Sequence, residues 1–150
     1  MTLSNYINIY NEYTNLILSY KYNCKNDNPI FYTKVIPKFT IKDLCFRMET
    51  YCKMNKSVFI YTIILLNRVL EKKFVSINMY TIYMLTFVLL LISSKMLEDE
   101  HYNNGVWARV GGMSLQRLNR LEKTMLKKLE YNVHVNLQEY NKVLDIFRLK

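Results

Sequence analysis

Glycine and proline are scarce in this chain, which has three glycines and two prolines in 150 residues. In average proteins these two residues together make up roughly 12% of the chain. β-Sandwiches and β-barrels need many turns made by such residues, and doubly wound α/β enzymes need glycines at their phosphate loops. Neither fold class is therefore expected. Helices with short connections remain, so the sequence predicts an all-α fold in a single domain.

Cysteine and histidine are few and do not have the spacing of a metal site. Cys24, Cys45 and Cys52 are an odd number and include no Cys-x-x-Cys pair, which does not indicate a disulfide framework and fits a reducing compartment. Cys45 and Cys52 lie on one face of a predicted helix, where core thiols are favoured over zinc ligands. His101 and His134 are far apart in the sequence. We therefore predict no metal and no cofactor.

Catalytic motifs are also lacking. The sequence contains no Gly-x-x-x-x-Gly-Lys phosphate loop, no His-Glu-x-x-His and no Gly-x-Ser-x-Gly. Glu98, Asp99 and Glu100 are adjacent carboxylates, a pattern more typical of a solvated turn than of acid–base groups that converge in a pocket. The sequence therefore predicts a protein without catalysis of its own and without a small-molecule substrate.

A secretion signal and long membrane spans are not evident either. The N-terminus lacks a basic segment followed by an apolar run. The apolar stretches 58–73 and 77–97 are each interrupted by polar residues and are short of the roughly 20 apolar residues that a span needs. Buried core helices are favoured, and a small helical membrane protein is the weaker alternative. We expect an intracellular protein, in the nucleus and/or the cytoplasm.

Positive charge is present in excess, since 21 Lys and Arg stand against 12 Asp and Glu for a net charge of +9. No block of five like charges occurs, so there is no basic tail. The excess favours an acidic partner such as nucleic acid, an acidic membrane or an acidic protein patch. Cations that lie largely off the apolar face of one predicted helix are Arg117, Arg120, Lys123, Lys127 and Lys128.

Apolar residues recur at helical spacing along most of the chain. The predicted helices span residues 4–20, 40–52, 58–73, 77–97, 106–110, 114–130 and 136–149. Thr40 with Asp43 resembles a capping box, and Ser114 is expected to cap the sixth helix. The pair Gly111-Gly112 is expected to end the fifth helix. Residues 21–38, which contain both prolines, are predicted to be a surface connection.

Short motifs follow one another in a defined order along these helices. They are Pro37-Lys-Phe-Thr-Ile, Ile64-Leu-Leu-Asn-Arg, Lys-x-x-x-Asp at 95–99, Val-Gly-Gly-x-Ser at 110–114, Leu-Asn-x-Leu-Glu at 118–122 and Tyr131-Asn-Val. Each is weak alone, but their order and spacing over about residues 36–144 resemble the cyclin box of the P/U-type cyclins, the phosphate-pathway group. The heavy use of Asn, Lys, Tyr and Ile suggests an AT-rich genome, such as that of an apicomplexan-like protozoan.

This resemblance implies an architecture and a function. The architecture is a single five-helix cyclin box over residues 36–144, with an N-terminal amphipathic helix and connection over 1–35 and a C-terminal tail over 145–150 that follows a short C-terminal helix. The function is that of a non-catalytic subunit that binds a cyclin-dependent-type protein kinase one-to-one. Such a subunit activates the kinase by holding the kinase helix αC in the active position.

The resemblance also implies particular site residues. By motif match, Lys95 and Glu122 contact the kinase around αC. Apolar residues that match the family's contact face, and that could equally be ordinary core, are Ile92, Met96, Leu126 and Val133. A polar pair between the first two box helices maps to Arg47 and Asn67. Because Asn stands where the family usually has Asp, we expect a neutral hydrogen bond there instead of an ion pair.

Two other interpretations of the same fold stay open. The first is a transcription-factor-like module that binds nucleic-acid phosphates through the basic helix face. The second is an orphan cyclin fold that binds no kinase. A salt titration of DNA binding separates the first from a kinase subunit, because several phosphate contacts give a steep slope.

Overall fold

The computed structural model of the chain describes residues 1–148. Over this range it contains seven α-helices, one 3₁₀ turn at Pro29–Phe31 and no strand, so the predicted all-α class is confirmed. The helices are α1 Leu3–Ser19, α2 Ile41–Cys52, α3 Ser57–Lys72, α4 Ile82–Leu97, α5 Asn104–Gly111, α6 Leu115–Lys128 and α7 Leu137–Arg148. The predicted end of the last helix at 149 and the last two residues of the predicted tail lie outside the described residues.

Helix α4 lies at the centre of the fold. Residues 82–94 are all buried, because α4 is apolar on every side and α2, α3 and α6 pack around it. Its polar groups find partners inside the core: the Tyr10 hydroxyl lies 2.7 Å from Thr86 Oγ1, and Thr62 Oγ1 donates to Ser93 Oγ at 2.9 Å. Among residues 1–148, no helix combines the length and the apolar character required to cross a membrane.

The other helices are arranged around this centre. Helices α2 to α6 are the five helices of the expected box, and α5 bridges α2 and α6. The expected N-terminal helix, α1, packs against α2 and α3, whereas the C-terminal helix, α7, packs against α3. Helix α7 continues through Arg148, across residue 145 where the tail was predicted to begin. The division into 1–35, 36–144 and 145–150 stays a prediction.

Local sequence signals account for where several helices begin and end. Thr40 and Asp43 form the predicted capping box at the start of α2, with Asp43 N donating to Thr40 Oγ1 at 3.0 Å. Ser114 caps α6. Gly112 ends α5 at φ +69°, in the left-handed region that favours glycine. A Cβ at Gly111 would lie 2.5 Å from Phe87 Cζ, so glycine lets α5 approach α4 closely.

Helix α4 begins five residues later than predicted. The sequence predicts a helix from residue 77, but residues 77–81 form a turn and the helix begins at Ile82. Ser76, the residue before the predicted start, bonds to a distant segment: its hydroxyl donates to the Asp27 carboxylate and accepts from Cys24 N at 2.9 Å. Thr81 Oγ1 donates to the Ser76 carbonyl at 2.7 Å. These bonds anchor the connection between α1 and α2 to the start of α4.

Candidate functional site

Lys95 and Glu122 meet where the last turn of α4 lies beside the middle of α6. Lys95 Nζ is 2.8 Å from Glu122 Oε2 and 3.0 Å from Glu122 Oε1. Their side chains are 29% and 15% exposed, so the pair lies at the edge of the core with solvent on one side. Two residues that are far apart in the sequence therefore form one ion pair.

Asn104, the first residue of α5, holds the carboxylate of this pair. Its Nδ2 donates to Glu122 Oε1 at 3.0 Å and to Asn119 Oδ1 at 2.8 Å. Glu122 therefore accepts hydrogen bonds from side chains of both α4 and α5, which restricts its orientation. Neither Asn104 nor Asn119 was among the predicted site residues. The available signal for Asn119 was its place in Leu-Asn-x-Leu-Glu.

The ammonium group of Lys95 can form one more hydrogen bond than it forms within the chain. A lysine ammonium has three N–H donors, and within the described residues the acceptors that Lys95 Nζ contacts are the two oxygens of Glu122. One donor is therefore available to an acceptor outside the chain. The geometry is that of an oriented cation at a surface edge, which suits a backbone carbonyl of a partner.

The apolar residues expected at the contact face fall into two groups. Met96 is 41% exposed and Leu126 is half-buried, so both reach the surface beside the ion pair. Ile92 is 3% exposed and Val133 is 9% exposed. These two belong to the core in the structure, which is the alternative that the sequence left open. We therefore do not include Ile92 and Val133 among the surface contacts.

Tyr131, which was not among the predicted site residues, is an exposed aromatic side chain. It is 64% exposed and follows the end of α6, where its N–H donates to the Leu126 carbonyl at 2.8 Å. Glu130 and Tyr131 have φ values of +54° and +59°, a left-handed conformation that is uncommon for residues with a side chain. The signal was the Tyr131-Asn-Val motif.

The predicted hydrogen bond between Arg47 and Asn67 is wrong. Arg47 Nε donates to the Val110 carbonyl at 3.1 Å, which joins α2 to α5. Asn67 lies on the exposed side of α3, where its Nδ2 donates to Glu71 Oε1 at 3.5 Å. The two residues therefore face different neighbours.

The next residue, Arg68, joins α3 to the segment that follows α6 and to α7. One of its terminal nitrogens donates to the carbonyls of Asn132 and His134, both at 2.9 Å. The other donates to both carboxylate oxygens of Glu139, at 3.0 Å and 3.1 Å. Since Glu139 is in the first turn of α7, Arg68 fixes the segment between α6 and α7. We call this cluster the Arg68 clamp.

The two helical cysteines are core thiols. Cys45 and Cys52 are 0% and 5% exposed and are not in a disulfide. Burial raises the pKa of Cys52 to about 11 and raises the pKa of Cys45 further. Both are therefore protonated at neutral pH, which makes them poor nucleophiles and poor metal ligands.

The exposed side of α6 is strongly basic. Its five cations are all exposed, and none forms an ion pair or a side-chain hydrogen bond with another described residue. They are Arg117, Arg120, Lys123, Lys127 and Lys128. We call this surface the α6 basic face.

Comparison with known proteins identifies the family. Residues 6–133 match the Cyclin family, so the chain belongs to the cyclins. It is 28% identical over 116 residues to Cyclin-P3-1 of Oryza sativa subsp. japonica, which covers 77% of this chain and 49% of that protein. It is 30% identical over 106 residues to Cyclin-U4-3 of Arabidopsis thaliana, with 70% and 48% covered.

A fungal relative extends the same group. The chain is 30% identical over 117 residues to the "PHO85 cyclin-like protein psl1" of Schizosaccharomyces pombe, which covers 77% of this chain and 48% of that protein. The resemblance to P- and U-type cyclins is therefore confirmed. The chain spans about half the length of the curated relatives it matches, and the family match includes most of α1.

Proposed function

We propose that this chain is a regulatory subunit that binds a cyclin-dependent-type protein kinase one-to-one and activates it. It has no catalysis, cofactor or small-molecule substrate of its own and acts where its kinase does, in the nucleus and/or the cytoplasm. The observation that carries this proposal is the Lys95–Glu122 ion pair at 2.8 Å, next to the exposed side chain of Met96. Membership of the cyclin family supports the choice of partner.

The ion pair is oriented in a way that suits binding. A solvent-accessible ion pair contributes only about 0–1 kcal/mol to stability. Here Asn104 also donates to Glu122, so groups from three helices meet at the pair and hold the carboxylate in place. Lys95 keeps one donor for a partner carbonyl, while Met96 and Leu126 offer apolar area at the same edge.

Activation follows from differential binding. A kinase is active when the glutamate of its helix αC pairs with the ATP-binding lysine. A rigid edge that fits αC only in this position shifts the kinase toward the active state by the difference in affinity for the two states. Moving the populations from about 1:99 to about 99:1 takes a preference of roughly 10⁴-fold. The rigid support of Lys95 and Glu122 suits this role.

Affinity purification of the tagged chain from its own cells, with mass spectrometry of the captured proteins, tests the proposal. We expect a cyclin-dependent-type kinase with the unmodified chain and its loss with Lys95→Ala plus Glu122→Ala. The matched control is Lys72→Ala plus Glu130→Ala, because this pair has the same residue types at 3.2 Å but is more exposed. The control variant is expected to retain the kinase.

Circular dichroism of both double variants separates binding from folding. Unchanged helix content together with loss of the kinase only in the Lys95/Glu122 variant supports the proposal. Loss of helix content in that variant would make the pair structural. Capture of no kinase by the unmodified chain would instead support the orphan fold.

A further inference from the structure

Helix α6 concentrates the charge of the chain on one side. Its 14 residues contain five cations and one acid, a net charge of +4 within a chain of net charge +9. The acid, Glu122, is turned toward Lys95 and Asn104. The α6 basic face therefore has no acidic neighbour on its own helix.

Within residues 1–148 these five cations form no ion pair. The cations that do form ion pairs there are Arg68, Lys72 and Lys95, all on other helices. Lys127 and Lys128 lie in the last turn of α6, where the helix dipole favours cations. Arg117 is in the first turn, where the dipole disfavours a positive charge. The ion pairs and the helix dipole therefore do not account for the whole face.

The basic face is separate from the proposed kinase contact. Successive residues of a helix are rotated by about 100°. Lys123, one residue after Glu122, therefore lies about 100° from it around the helix axis. Arg120, two residues before Glu122, is rotated by about 200° in the other direction, which places it nearly opposite Glu122. A partner that covers Glu122 and Leu126 leaves the face centred on Arg120 open.

We propose that the α6 basic face docks an acidic peptide segment of the substrates of the bound kinase. This docking role rests on the proposed function. From Arg117 to Lys127 the face is about 15 Å long, at about 1.5 Å per residue. An extended peptide covers this length with about five residues. Its alternate side chains are about 6.6 Å apart, close to the roughly 5–6 Å between helix residues three or four apart. Acids at alternate positions therefore match the cations.

The same surface fits nucleic acid less well. Helix α6 has no aromatic residue on which bases of a single strand could stack. The positive charge of the face and the lack of a stacking residue on α6 therefore favour an acidic peptide.

The test uses the whole chain without a kinase. A fluorescent peptide with glutamate at three alternate positions is titrated by anisotropy at about 50 mM salt, beside the same peptide with glutamine. We expect binding of the glutamate peptide only, weakened about tenfold by Arg120→Gln plus Lys123→Gln plus Lys127→Gln. The matched control loses the same charge at exposed lysines elsewhere on the chain, and its substitutions are Lys25→Gln plus Lys38→Gln plus Lys142→Gln. We expect the control to bind the glutamate peptide within about twofold of the unmodified chain.

Three results would overturn the proposal: no binding of the glutamate peptide, equal weakening by the basic-face and control variants, or tighter binding of a mixed-sequence DNA duplex with a steep salt slope. The last result would favour the nucleic-acid module instead. Glutamine is a good helix former, so helix content is expected to stay unchanged. Capture of the kinase by the basic-face variant is measured in parallel, so that failure of the docking surface and failure of the proposed function are distinguishable.

Discussion

The Lys95–Glu122 pair and the Arg68 clamp are similar in chemistry and different in use. Each joins a cation to both oxygens of a glutamate across two helices. Arg68 also donates to two backbone carbonyls of the chain, so its donors serve the fold. Lys95 contacts only Glu122 among the described residues and keeps a donor toward solvent.

The difference shows that an ion pair alone does not indicate a function. The decisive property is whether the remaining N–H donors of the cation bond to the chain itself or face solvent, where a partner could accept them. The planar guanidinium of Arg68 has five donors in a rigid fork and suits several fixed acceptors at once. The ammonium of Lys95 is a point charge, which can hold an internal carboxylate and still offer a donor to a partner.

Removing the clamp is expected to have the largest effect on stability. We predict that Arg68→Ala lowers the free energy of unfolding by about 2 kcal/mol, because it leaves two carbonyls and a carboxylate without their donor. The loss is below that of a fully buried pair, since Glu139 is 39% exposed. Urea denaturation followed by circular dichroism measures it. If Lys95→Ala plus Glu122→Ala costs as much, the distinction between the two pairs fails.

Changing the exposed methionine is expected to affect binding and not stability. Met96→Asp puts a charge at the proposed kinase contact, and we predict about tenfold weaker capture of the kinase. Because Met96 is 41% exposed, the urea midpoint should stay unchanged. Tyr51, 56% exposed on α2, provides the control, and Tyr51→Asp should retain the kinase. Equal losses of kinase for both variants would mean that the contact lies elsewhere.

Replacing the arginine with lysine sharpens the comparison further. Arg68→Lys keeps the charge but loses the fork, so we predict a loss of about 1 kcal/mol in the free energy of unfolding. In contrast, Lys95→Arg should leave stability within about 0.5 kcal/mol, since the pair is accessible and the charge is kept. The same urea measurement applies to both. A greater loss for Lys95→Arg would reverse the roles assigned to the two pairs.

The smallest expected effect concerns Asp27, a carboxylate that forms no ion pair within residues 1–148. Burial raises the pKa of Asp27, but hydrogen bonds from Ser76 and Tyr32 outweigh burial, and the net pKa is lowered. The stabilising contribution is therefore present above the unfolded pKa of about 3.9 and is lost as the pH falls through the folded pKa. We predict that Asp27→Asn is less stable than the unmodified chain at pH 7.

The pH dependence of that difference is the measurement. The stability gap between Asp27→Asn and the unmodified chain should narrow as the pH is lowered below about 4. The carboxyl of the unfolded state is protonated first there, and the carboxyl of the folded state only at lower pH. Urea midpoints at pH 7, 5, 4 and 3 suffice. A gap that is constant with pH would mean that the charge of Asp27 contributes nothing.

Local signals in the sequence predicted the ends of helices well where the residues that interact there are close along the chain. The capping box of Thr40 and Asp43, the cap at Ser114 and the left-handed Gly112 all involve neighbours within a few residues. The start of α4 was placed too early, and there Ser76, just before the predicted start, bonds to Asp27, 49 residues away. Local spacing cannot reveal such a distant partner.

The site divides in the same way. Motif order identified Lys95 and Glu122, but their joining into one pair and their support by Asn104 depend on three helices meeting. Ile92 and Met96 lie four apart on one helix, yet one is core and the other is exposed. This separation depends on which distant segments pack against the end of α4.

The sequence by itself determined the fold class, the family and the identity of the charged pair, because helical periodicity, caps and motif spacing are local properties of the chain. Only the tertiary structure decided which polar groups are used inside the fold. It separated Arg47 from Asn67, gave Arg68 its contacts in the clamp, placed Ile92 and Val133 in the core and left the α6 basic face without ion pairs among the described residues. The physical reason is that hydrogen bonds and burial depend on which distant segments pack together. The spacing of neighbouring residues along the chain does not contain that information.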